Sequence, residues 1–92
     1  MVLDEVLSRI DELIARCGPG PWTASVEERD HHSGDSFIQT GPEHARGEDI
    51  YVTRDSGPAS SDYLDLIALL RTHAPDLITE VRRYRGVQAP PA

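Results

Sequence analysis

The chain has no lysine, a single cysteine, one phenylalanine and one tryptophan, and no apolar run approaching the length of a membrane span. One cysteine, Cys17, excludes an intramolecular disulfide and fits a reducing compartment. No charged-then-apolar leader opens the sequence, so it reads as cytoplasmic. Aromatic residues make up only 5% of the chain, which leaves the core to aliphatic side chains. With lysine absent, all nine basic residues are arginine, a bias that reflects a GC-rich coding genome and bears on no mechanism. Sixteen acidic residues bring the net charge to −7. That balance argues against nucleic-acid binding, which needs basic groups to neutralise phosphates. It suits solubility, or docking onto a basic protein partner.

Ninety-two residues make one domain with one modest core. Its first part is a helix: Leu3, Val6, Leu7, Ile10, Leu13, Ile14 and Cys17 recur at helical spacing as a single apolar stripe. Asp4 and Glu5 meet the positive end of the helix dipole, and Arg16 precedes the stop at Gly18. Cys17 falls at a core position of that stripe. Gly18-Pro19-Gly20-Pro21-Trp22 then forbids further helix, because proline lacks a donor and glycine admits positive φ.

From Trp22 the period becomes two. Trp22 to Val26 reads as a strand, Ser36 to Thr40 as a second and Ile50 to Thr53 as a third, joined by the polar loops Glu28–Asp35 and Gly41–Asp49. Loops of this length predict an antiparallel meander. Ser60 and Ser61 offer N-caps to a broadly apolar helix from Asp62 to Leu70. Pro75 then predicts a kink, or a break followed by a second helix running to Gly86. The expected fold is α+β: one N-terminal helix, a three-stranded antiparallel meander, and two C-terminal helices or one kinked at Pro75, packed on one sheet face. Residues 1–86 form the domain and residues 87–92 a flexible tail. The expected core is Leu7, Ile10, Leu13, Ile14, Trp22, Val26, Ile38, Ile50, Val52, Leu64, Ile67, Leu70, Leu77, Ile78 and Val81.

Two loops concentrate the polar chemistry. Asp30, His31, His32 and Asp35 crowd one turn, and Glu43, His44 and Arg46 occupy the next loop. Histidines and carboxylates so close can ligate a metal, with His44 converging from the second loop. Adjacent histidines on one turn rarely aim at one ion, so no metal or cofactor is implied. Ser33 with those histidines supplies the ingredients of nucleophilic chemistry but not a triad's spatial arrangement. No nucleophile elbow, phosphate-binding glycine loop or zinc-protease helix is present, and a non-enzymatic role is expected. Arg46 either grips a carboxylate or phosphate, or pairs with Glu43, Glu48 or Asp49 to order its own loop. Trp22 either staples the sheet to the helices or lines a groove. Arg82, Arg83 and Arg85 read as a solvated face that complements a helix C-terminus.

An amphipathic helix followed by Gly20-Pro21-Trp22, then Leu66-Ile67-Ala68, Pro75 and Leu77 to Arg83, resembles the Ead-like phage accessory proteins. The resemblance spans most of residues 7–85 and implies a mobile-element or conflict setting; it carries over no catalytic residue. Together these readings predict a protein-binding module of the inhibitor or immunity type, contacting its partner through Asp30–Asp35 and Glu43–Asp49. The alternatives are a protein that sequesters a nucleotide-type ligand through Arg46, His31 or His32 and Trp22, and a homodimer that buries the Asp62–Leu70 helix.

Overall fold

A computed structural model describes residues 2–88 of the chain. The apolar spacing and acidic first turn produce α1, Leu3–Arg16. It ends where the Cys17 N–H reaches the Leu13 and Ile14 carbonyls and Gly18 takes φ +85°. Only Leu7 of its stripe is buried; Val6, Ile10 and Ile14 are half-buried, while Leu3, Leu13 and Cys17 are exposed. The expectation that Leu13 and Cys17 enter the core is therefore corrected: α1 meets one neighbour, and one neighbour covers only the middle of so wide a stripe.

Strands β1, Trp22–Ser25, and β2, Phe37–Thr40, pair antiparallel with Ala24 opposite Ile38. Ile50 adds to the far side of β2, exchanging both main-chain bonds with Ile38 at 2.8 and 2.9 Å. The expected third strand goes no further. Thr53–Arg54 (β3) instead pairs with Gly57–Pro58 (β4) in a separate two-stranded ribbon. Gly57, at φ +129°, supplies a conformation that L side chains rarely adopt. The partner a few residues along the chain thus captures the segment before it can extend the sheet.

Of the two courses expected at Pro75, the break into two helices does not occur. Ser61–Gln88 is one continuous helix, α2, of 28 residues with Pro75 inside it. An interior proline costs about 3 kcal/mol through a lost bond and a clash with the carbonyl four residues back. Burial of Leu64 and Ala68 before Pro75 and of Ile78 after it opposes that cost, and the exposed ion pairs to α1 add little. Leu64, Ala68 and Ile78 are buried along one continuous face, and the segment beyond Pro75 is tied to α1 by Arg82–Asp11 at 2.6 Å and Arg85–Asp4 at 3.3 Å. Gly86 does not end the helix either; Val87 and Gln88, expected in the tail, continue it, and 89–92 lie outside the described residues.

The core has its centre where α2 crosses the sheet: Ile38, Ala59, Leu64 and Ala68 are buried, with Trp22, Ala24, Ile50, Val52 and Ile67 packed around them. Leu70 and Leu77, expected inside, are 52% and 56% exposed. Residues 3–30 run the length of α2 in the opposite direction: Asp4 bonds Arg85, Asp11 bonds Arg82, Gly18 bonds Arg71, Trp22 bonds Thr72 and Arg29 bonds Asp65. The body measures 57 × 33 × 22 Å with a radius of gyration of 16.4 Å. A compact chain of this length has a radius near about 12 Å. The molecule is elongated because α2 has cover on one side only.

Candidate functional site

A groove of about 390 Å3 follows the outer edge of β1, between it and α2. Trp22, Ala24, Arg29, Asp65, Thr72 and His73 are among the residues that line it. Because Ile38 gives its main-chain groups to Ile50, the ladder turns the N–H and C=O of Trp22 and Ala24 toward this edge. Thr72 closes one end: its Oγ1 accepts from the Trp22 N–H at 2.9 Å and donates to the Trp22 carbonyl at 2.8 Å. Asp30 closes the other, its carboxylate accepting from the Val26 N–H at 2.8 Å. Side chains thus occupy the strand edge that an added strand needs.

Trp22 both braces the core and faces this groove. Its ring is covered by the Arg71 guanidinium, 5.6 Å from the centroid, and its Nε1–H donates to the Pro19 carbonyl at 3.2 Å. Arg71 Nη2 donates to the Gly18 carbonyl at 2.6 Å, holding the Gly18–Trp22 turn against α2.

The first polar loop is an ordered structure. Arg29 makes a two-pronged bond to Asp65 at 2.9 and 3.0 Å and reaches Asp30 through Nε at 3.0 Å. Hydrogen bonds to these two carboxylates hold the Arg29 guanidinium protonated beyond its usual range. Asp65 titrates below the ordinary carboxylate range because it accepts from Arg29; Asp30 does so chiefly because it accepts the Val26 N–H. His31 turns toward the sheet, its Nδ1 3.0 Å from Ser25 Oγ and its ring 5.7 Å from Phe37. His32 and Asp35 are exposed. In the second loop, Arg46 pairs with Asp49 at 2.8 Å, and Glu43 and His44 are exposed on a short 3-10 turn, Glu43–Ala45. Among the described residues no three His, Cys, Asp or Glu side chains gather to hold a metal ion. The seven residues singled out from the sequence therefore divide. Asp30, His31 and Arg46 secure their own loops, whereas His32, Asp35, Glu43 and His44 face solvent.

A row of exposed apolar side chains lies on α2. Opposite the buried Leu64, Ala68 and Ile78, the side chains of Tyr63, Leu66, Leu70, Leu77 and Tyr84 are 48–65% exposed. The breadth of apolar residues in Asp62–Leu70 is legible in the sequence, whereas Leu70 and Leu77, expected in the core, lie in this exposed row. Sequence reasoning missed the latches Arg29–Asp65, Thr72–Trp22 and Arg71–Gly18, which join residues far apart in the chain with no local pattern. The pairing of Asp4 and Asp11 with Arg85 and Arg82 did leave a signal: two acids one heptad apart on α1 and a basic end on α2. Comparison of the chain with protein-family models, with curated proteins and with solved structures finds no match.

Proposed function

We propose that this chain is a non-enzymatic protein-binding module whose contact surface is the outer face of α2. The observation that carries the reading is the row Leu66, Leu70, Leu77 and Tyr84, apolar and more than half exposed among the described residues, on a helix whose opposite face already forms the core. Tyr63, at its start, is partly capped by the Arg54 guanidinium 5.4 Å from its ring centroid. Exposed apolar rows of this kind mark docking surfaces. The solvent-facing His32, Asp35, Glu43 and His44 stand on the loops of the sheet, a second exposed surface, polar in character. An accessory role of the inhibitor or immunity type in a phage or bacterial conflict setting accords with the resemblance to Ead-like proteins. The nucleotide-binding alternative is less favoured: Arg71 covers Trp22, Arg46 is paired with Asp49, and His31 points at Ser25.

Affinity capture from the native host, with the chain, a Leu70→Glu/Leu77→Glu variant and a His32→Ala/Asp35→Ala/Glu43→Ala/His44→Ala variant as baits, tests the reading. The α2 variant should lose the partner and the loop variant should keep it. A partner retained by the α2 variant but lost by the loop variant moves the contact surface to the loops; a partner retained by both overturns the reading.

A further inference from the structure

We infer that the occupant of this face is a second copy of the chain, with the two α2 helices antiparallel. The inference rests on α2's outer face being a docking surface and adds the identity of its partner. Tyr63, Leu70, Leu77 and Tyr84 recur every seven residues, and Leu66, His73 and Glu80 fill the intervening positions of the same repeat. A seven-residue repeat keeps one seam facing one partner helix over its whole length. The seam runs about 26 Å from Tyr63 to Glu80 at 1.5 Å per residue, with Tyr84 one turn beyond it. A partner helix, rather than a globular pocket, fits a continuous row of that kind. This chain carries such a helix.

Charge selects the direction. Asp62 flanks the start of the seam, and Arg83, 66% exposed, flanks its end. A parallel pair sets Asp62 beside Asp62 and Arg83 beside Arg83. An antiparallel pair sets Asp62 against Arg83 of the second copy, twice, and aligns the helix dipoles favourably. Seating the repeat with its two kinds of position facing one another places Leu66 against Leu77 of the second copy and Leu70 against His73. Tyr63 then meets Glu80, whose carboxylate can accept from the phenol. Among the described residues Arg83 pairs with Glu80 of its own helix at 3.1 Å, a solvent-exposed pair that exchanges at little cost. The net charge of −7 per copy opposes association, so the dimer is weak and forms with rising concentration.

Sedimentation velocity of the intact chain from about 1 μM to about 1 mM spans the dissociation constants in question. Conversion of monomer to dimer across that range is expected, and Leu70→Glu should abolish it while far-UV circular dichroism and the melting temperature hold, since Leu70 is exposed. Asp62→Arg and Arg83→Asp should each weaken the dimer at least tenfold, and the double variant should restore it; a parallel pair would gain nothing from the double variant. A chain that stays monomeric throughout but loses a different captured protein on Leu70→Glu overturns the second-copy assignment and leaves the docking face standing. A dimer indifferent to Leu70→Glu overturns the assignment of the seam. Failure of the double variant to recover overturns the antiparallel arrangement.

Discussion

Thr72 is the most economical place to perturb this molecule, because one hydroxyl satisfies both main-chain groups of Trp22. Thr72→Val keeps the branched shape of the side chain and replaces its hydroxyl with a methyl group. Each bond contributes about 0.5–1.5 kcal/mol net, and a donor or acceptor left unsatisfied in the interior costs about 1–3 kcal/mol. Both bonds are partly buried, and the adjoining groove is open enough for water to replace part of what is lost. About 2 kcal/mol of destabilisation follows, or about 8–16 °C in melting temperature for a domain of this size. In urea the midpoint should fall by about 2 M if the chain has a slope near 1 kcal/mol/M. Trp22 is the only tryptophan, so its fluorescence reports on the very site altered. Thr72→Ser retains the hydroxyl and should lose much less than the valine variant. If Thr72→Val unfolds within about 0.3 kcal/mol of the parent chain, the Thr72–Trp22 latch does not hold β1 to α2.

Two further outcomes follow from local geometry. Gly41 has φ +78°, and a Cβ there would lie 2.8 Å from the Ala45 carbonyl oxygen; Gly34 has φ +90° with nothing within 4 Å. Gly34→Ala should therefore cost only the left-handed backbone term, about 1–2 kcal/mol, and Gly41→Ala clearly more, by thermal melting of both variants. Asp65 titrates below its ordinary value when folded, so its stabilising bond to Arg29 is fully present above the unfolded value near about 3.9 and fades as pH falls through the folded one. The stability difference between the parent chain and Asp65→Asn should hold from pH 7 to 5 and shrink below pH 4; a difference constant down to pH 2 would refute the ion pair's role.

The local signals in the sequence were sound where one helix or turn decided the outcome. The stripe of α1, the stop at Gly18 and the β1–β2 alternation each depend on neighbours in the chain, and each stands in the structure. Burial was less legible, because it depends on how many neighbours an element acquires. Leu13, Leu70 and Leu77 have core-like spacing, yet α1 and α2 each lack a second layer to cover them. Pro75 illustrates the same limit: its local preference is to break the helix, and contacts with α1, distant in the chain, reverse it. For the candidate site, Arg46 showed its loop-ordering alternative from sequence alone. His31 did not, since its partners Ser25 and Phe37 become neighbours only when the strands pair.

The antiparallel course of residues 3–30 along α2 dictates an order of assembly. The bonds that join the two segments close separations of 36 residues at Arg29–Asp65, 50 at Trp22–Thr72, 53 at Gly18–Arg71, 71 at Asp11–Arg82 and 81 at Asp4–Arg85. Closure entropy rises only slowly with loop length, so once the innermost contact forms, each outer one adds a small increment. Folding then proceeds as a zipper that begins beside the sheet and ends with α1. Of the two helices, α1 leaves the ribosome before α2 yet closes its contacts last on this ordering. Its apolar stripe must wait, uncovered, until the arginines in the last turns of α2 have been made.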